Sequence, residues 1–127
     1  MVSNDFDALI DSALGESRGA RLLLVLLRSE AHADGAEGGT LTPILANDLE
    51  VTQDVTLDAV AAQADQVGVP WDMIMAAVLR DPTGEAPSHA SAEPYLKQMA
   101  DDVMRGGDLS RYAAFDRAGN RLSISRA

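Results

Sequence analysis

Hydrophobic residues recur along this chain with the spacings of helices in some segments and of strands in others. Three segments place their apolar side chains three and four residues apart, so that these side chains share one face of a helix. Polar residues occupy the opposite face of each segment. The pattern predicts amphipathic helices over residues 4–14, 57–67 and 92–104.

The predicted helix starts depend on capping residues. Ser3 or Asn4 can cap the first helix, Thr56 the second and Ser91 the third. Pro94 then falls in the first turn of the third helix, where proline costs no backbone hydrogen bond.

Two continuous apolar runs have strand-like lengths. Residues 21–28 hold six apolar side chains between two arginines, and residues 71–79 are apolar on both faces. A strand that is covered on both faces has this pattern, and so does a buried helix. We predict a central strand over 21–28 and a covered strand over 71–79, and a helix stays the alternative for both.

The remaining segments are predicted from turn residues and from alternation. Residues 29–40 are polar and glycine-rich, which predicts a loop. Residues 40–46 form a strand in which Pro43 indicates an edge position or a bulge. Residues 112–115 and 121–124 flank a turn and predict a C-terminal hairpin.

These elements predict one α+β domain over residues 1–127. The order is α-β-β-α-β-α-β-β, with a single, mostly antiparallel sheet and about three helices covering a face of it. A chain of 127 residues with 46% hydrophobic and 24% charged residues is typical of one folded domain.

Composition excludes several classes of function. The chain has no cysteine, which excludes disulfides, thiolate metal sites and thiol nucleophiles. Its net charge of −10 disfavours direct nucleic-acid binding. Residues 1–104 hold 18 acids against 5 Lys/Arg (−13), whereas residues 105–127 hold 5 Arg against 2 Asp (+3). This division predicts either a solvated acidic surface or an acidic face for a basic partner.

The sequence also bears on location. Acidic residues occupy the first positions, where a signal peptide needs positive charge. The longest strongly apolar run, residues 22–27, is far shorter than the roughly 20 residues of a membrane helix. We expect a cytoplasmic protein with no membrane contact.

Neither histidine lies in a recognisable catalytic or metal motif. His32 shares a glycine-rich loop with Asp34 and Glu37, but their spacing matches no metal motif, and a solvated loop is the stronger interpretation. His89 follows Ser88 directly, and sequence neighbours seldom have triad geometry. We interpret this segment as helix-start capping and predict no catalytic residue, no metal and no cofactor.

Five segments together resemble a family of short bacterial proteins often labelled ribonucleotide reductase subunit alpha. They are residues 21–26, 37–43, 71–77, 93–99 and 115–119. The catalytic subunit of that name is a large barrel enzyme with a thiyl radical and a redox cysteine pair. Because this chain is short and has no cysteine, the resemblance implies neither that activity nor any catalytic residue.

Two hypotheses about function follow. The first is a non-enzymatic protein-interaction or regulatory module with a protein partner, and the acidic surface favours a basic one. Two further alternatives are homodimerisation through a sheet edge left open by the C-terminal hairpin and mimicry of nucleic acid. The second is a small-molecule or nucleotide-metabolite binding protein with an apolar pocket near Trp71 and the Tyr95–Met99 helix. Surface loops often carry recognition residues, so the predicted loops of this chain are a further candidate location for binding residues. The candidate binding residues are Glu37, Thr40, Thr42, Trp71, Tyr95, Asp116 and Arg117.

Overall fold

A computed structural model confirms the predicted α+β order. It describes residues 4–15, 19–31, 39–68, 70–80, 85–105, 109 and 112–122. The elements are α1 (Asp5–Leu14), β1 (Ala20–Ala31), β2 (Gly39–Glu50), α2 (Leu57–Val67), β3 (Met73–Arg80), α3 (His89–Met104), β4 (Ala113–Asp116) and β5 (Arg121–Leu122).

The five strands form one antiparallel sheet in the order β2-β1-β3-β4-β5. β1 lies between β2 and β3, so the prediction of a central strand over 21–28 is confirmed. The strand prediction for 71–79 is also confirmed, with β3 beginning at Met73. The helix alternative is wrong for both segments.

Helices cover both faces of the sheet, whereas the sequence predicted a covering on one face. Leu22, Leu24 and Leu26 of β1 pack in a core with α1 and α2. Leu23 and Val25 point to the other side and pack against α3. Because both faces of β1 are buried, the strand has a continuous apolar run instead of alternation.

β2 is longer than predicted, because it starts at Gly39 and continues past residue 46 to Glu50. Leu26 pairs with Leu45 and Leu27 pairs with Pro43, so one extra residue bulges out of β2 between them. Pro43 is therefore at a bulge and also on an edge strand, and both expectations for it hold. The predicted loop over 29–40 is too long, since β1 extends to Ala31 and β2 begins at Gly39.

α3 begins three residues earlier than predicted. Its N-cap is Ser88 and not Ser91: the Ser88 side chain accepts a hydrogen bond from the Ser91 N–H at 3.1 Å. Pro94 is consequently the sixth residue of the helix, beyond the first turn, and it removes one internal hydrogen bond. The Ala90 carbonyl that would accept that bond belongs to an exposed residue.

The other helix boundaries and the hairpin agree closely with the prediction. Asn4 caps α1 and Thr56 caps α2. The hairpin pairs β4 with β5 through a turn in which Gly119 has φ of +85°, a conformation that favours glycine. The predicted strand residues 123–124 lie outside the described part of the chain.

Candidate binding surfaces

The outer edge of β2 presents backbone groups that the sheet does not use. Within the described residues, β2 pairs with β1 alone. The Val51 N–H donates to the Ala20 carbonyl of β1 at 2.9 Å, and alternate residues of an antiparallel strand bond to the same neighbour. The backbone N–H and C=O groups of Ala46, Asp48 and Glu50 therefore face outward, ready to pair with a further strand.

The chain around this edge is acidic. Residues 29–79 contain nine Asp and Glu and no Lys or Arg. They include β2 and α2, and α2 packs beside β2 over a small cavity of about 330 Å³. Four of these acids have exposed side chains: Glu50, Asp54, Asp58 and Asp65. Their carboxylates give this side of the molecule a negative potential.

A larger apolar groove lies on the opposite face, between α3 and the strands β1 and β3. Its volume is about 650 Å³, within the range of small-molecule sites. Tyr95, which is 53% exposed, and Gln98 border it from α3. Tyr112 borders it from the segment before β4, and its hydroxyl donates to Asp102 at 2.6 Å. The groove is mainly apolar and has a few polar groups at its rim.

Trp71 lies outside this groove, on the side of the sheet that α1 and α2 cover. Its side chain is 3% exposed, and its indole N–H donates to Asp65 at 3.0 Å. The Arg117 guanidinium lies 4.1 Å from the centre of the Trp71 ring, pairs with both Asp65 oxygens at 3.0–3.1 Å, and donates to the Trp71 carbonyl. Trp71 and Arg117 thus contact each other and close this end of the core.

Asp116, next to Arg117, organises the hairpin turn. Its carboxylate accepts the Ala118 and Asn120 backbone N–H groups at 2.9 Å each. The pKa of Asp116 is lowered, chiefly by the Asn120 N–H, with smaller contributions from the Asn120 side chain and the Ala118 N–H.

Asp48 is the one charged residue that is buried among those the structure describes. Its side chain is 1% exposed and faces α3. One carboxylate oxygen pairs with the Arg21 Nε of β1, and the other lies 2.5 Å from His89 Nδ1 at the start of α3. Arg21 also donates to the Pro87 carbonyl at 3.4 Å. The carboxylate therefore joins β2, β1 and the start of α3.

The sequence did not predict this cluster. The strand predicted over 40–46 ended before Asp48, and His89 was assigned to capping, which Ser88 performs. A longer predicted strand would not have marked Asp48 as buried either, because Ala46 and Glu50, which share its face, are both exposed. Its two partners are 27 and 41 residues away, and no local pattern relates them.

The predicted binding residues do not form one site. Thr42 is exposed on β2, and the backbone of Thr40 belongs to the same strand. Trp71, Asp116 and Arg117 are together, while Tyr95 lies on α3 across the sheet. Glu37 and the suggested loop cluster with His32 and Asp34 lie outside the described residues.

Within the described residues, no three His, Asp or Glu side chains are grouped as metal ligands. No described helix has the length and apolarity needed to cross a membrane.

Comparison with protein-family models, with curated proteins and with solved structures finds no match to this chain. The family resemblance of the five sequence segments therefore stays a prediction, and the functional argument depends on the geometry of the surfaces.

Proposed function

We propose that this chain is a protein-interaction module whose outer β2 edge binds a basic, extended segment of a partner protein. The observation that carries the proposal is the open edge of β2 over residues 46–50, within a stretch of chain that has acids and no Lys or Arg. A partner segment adds a strand there by main-chain hydrogen bonds.

The backbone geometry supports strand addition at this edge. Open edges invite pairing, and proteins usually protect them with lysine, proline or a bulge. β2 has such protection only around Pro43, at the bulge. From Leu45 to Glu50 the strand pairs regularly with β1, contains no proline or lysine, and presents three outward-facing residues.

Charge favours a basic partner over a second copy of this chain. Each copy has a net charge of −10, so two edges of this kind repel each other. Lysine or arginine in a partner strand lies close to Glu50 and to the exposed acids of the β2–α2 side. Electrostatic attraction of this kind accelerates association and weakens as salt increases.

The test uses a 12-residue peptide of alternating Lys and Thr, with the Glu–Thr peptide of the same length as its acidic counterpart. We expect the basic peptide to shift the backbone amide NMR signals of Ala46, Asp48 and Glu50. Ala46→Pro removes an outward N–H that the sheet does not use, so the fold tolerates it. Loss of that hydrogen bond and the bulk of the ring weaken binding about tenfold.

The matched control is Ala46→Val, which keeps the N–H and the strand preference, and it should bind as the unchanged chain does. Equal affinity for the acidic peptide, or Ala46→Pro binding as tightly as Ala46→Val, would contradict strand addition by a basic segment. A concentration-dependent dimer that Ala46→Pro abolishes would show that the edge pairs with its own copy instead.

The groove at α3 favours a second candidate function, the binding of a small apolar molecule with a hydrogen-bonding end. Its volume, its apolar lining and the two tyrosines at its rim support this function. An environment-sensitive apolar dye should bind, and Tyr95→Ala should weaken dye binding more than Tyr95→Phe. Dye fluorescence that does not change on adding the protein would exclude this use of the groove.

A further inference from the structure

The ring of His89 is held from behind by a buried carboxylate and points its other nitrogen outward. Nδ1 lies 2.5 Å from Asp48, while the His89 side chain is 65% exposed. A carboxylate oxygen only accepts hydrogen bonds, so Nδ1 carries the proton and the lone pair of neutral His89 is on Nε2. Glu93, one turn along α3, places Oε1 4.0 Å from Nε2.

We propose that His89 Nε2 and the Glu93 carboxylate bind one divalent transition-metal ion of the Zn²⁺ type, with water as the remaining ligands. Imidazole and carboxylate are ligands that such ions accept. Metal-binding histidines almost always donate their other N–H to a carboxylate or carbonyl, which fixes the tautomer and the ring orientation. Asp48 supplies that contact.

The separation of the two ligand atoms fits an ion between them after a small movement. With Zn–N and Zn–O bonds of about 2.1 Å, tetrahedral geometry places the two atoms about 3.4 Å apart. The side chain of Glu93 is 72% exposed and is free of packing, so it can close the distance from 4.0 Å. Arg21 holds the other Asp48 oxygen and keeps the carboxylate fixed behind the ring.

The main alternative for an exposed, carboxylate-oriented histidine is attack on a phosphoryl or acyl group. Glu93 opposes the phosphoryl case, because its charge next to Nε2 repels a phosphate. Neither of the two cavities described above is lined by His89, whereas substrates normally bind in a cleft. A hydrated metal ion needs no cleft. Metal binding therefore agrees with the positions of His89 and Glu93 as ligands and of Asp48 as the group that orients the ring.

The experiment is a Zn²⁺ titration of the full chain, followed by NMR of the histidine ring nitrogens. His32→Ala assigns the signals. We expect the Nε2 signal of His89 to shift with a one-to-one isotherm while Nδ1 keeps its proton. Glu93→Gln, at an exposed position, should weaken binding several-fold. Asp48→Asn, checked for folding, should weaken it about tenfold, as loss of an orienting partner typically does.

Asp11→Asn is the matched control, because it removes an exposed acid on α1, on the face of the sheet opposite α3, and should leave the isotherm unchanged. A Nε2 signal that does not move with Zn²⁺ would overturn the proposal. So would equal weakening by Asp11→Asn and Glu93→Gln, which would indicate general attraction of cations to an acidic protein.

Discussion

Two arginine–aspartate pairs, one inner and one outer, differ mainly in burial. In the inner pair, the side chains of Asp48 and Arg21 are 1% and 18% exposed. In the outer pair, those of Asp65 and Arg117 are 51% and 47% exposed. In the outer pair a single nitrogen of Arg117, Nη2, lies 3.0–3.1 Å from both Asp65 oxygens, while Nη1 donates to the Trp71 carbonyl.

Burial, and not geometry, decides what each pair contributes. Water solvates either member of the outer pair when the other is removed, so its loss costs little. Asp48 has no such alternative, because its carboxylate would stay buried without compensation. The inner pair therefore fixes how β1, β2 and α3 fit together, while the outer pair mainly covers Trp71.

The largest expected effect is that of breaking the inner pair. Arg21→Met keeps the length and the apolar stem of the side chain but leaves Asp48 with His89 alone. We expect a loss of about 3 kcal/mol in the free energy of unfolding, since an uncompensated buried charge costs that much. Urea unfolding measures it, as a lower midpoint at unchanged slope.

Removing both charges of the inner pair tests whether the loss of stability comes from the unpaired charge. In Arg21→Met/Asp48→Leu no charge remains to be buried, and we expect most of the lost stability to return. If the double variant lost as much stability as the two single variants together, the coupling energy between Arg21 and Asp48 would be zero. That result would contradict the view that each charge compensates the burial of the other.

A smaller effect is expected from the outer pair. Arg117→Ala removes an exposed ion pair and the contact with the Trp71 ring, which together are worth about 1 kcal/mol. The difference from the unchanged chain should shrink at about 1 M salt, where charges are screened beyond roughly 3 Å. Urea unfolding at low and high salt tests this prediction. The loss of stability caused by Arg21→Met should change much less with salt than the loss caused by Arg117→Ala.

Arg121→Ala is the control for the outer pair. Its guanidinium lies 5.8 Å from the Phe115 ring, farther than Arg117 lies from Trp71. We expect Arg121→Ala to lower the free energy of unfolding by less than Arg117→Ala does. If Arg117→Ala did not change the free energy of unfolding at either salt concentration, the outer pair would not contribute to stability.

The sequence predicted those parts of the fold that depend on neighbours along the chain. The run over 22–27 indicated β1 because a strand buried on both faces needs apolar side chains at successive positions. Asn4 and Thr56 gave the helix starts because capping is a contact over three residues. The side of the sheet that each helix covers was not predictable, since that depends on packing between distant segments.

The candidate sites were predicted less well for the same reason. Trp71 and Arg117 were proposed as binding residues from their type alone, and in the structure their polar groups bind Asp65 and each other. Asp48 and His89 were missed, because their contact spans 41 residues. Pro43 indicated an edge position or a bulge for the strand over 40–46, but the open backbone groups at residues 46–50 have no residue signature of their own.

The smallest effect on stability is expected at Asp116, whose exposed carboxylate accepts hydrogen bonds from N–H groups and is not part of an arginine pair. Its pKa is lowered in the folded chain, so it stabilises the fold above the unfolded-state pKa of about 4. This contribution disappears as the pH falls through the lower, folded-state pKa. The stability difference between the unchanged chain and Asp116→Ala should therefore narrow in urea unfolding between pH 7 and pH 3. Asp116→Asn keeps an oxygen acceptor without the charge, and its stability at pH 7 should lie between that of the unchanged chain and that of Asp116→Ala. If the stability difference between the unchanged chain and Asp116→Ala stayed constant with pH, the turn would depend on shape and not on the ionised carboxylate.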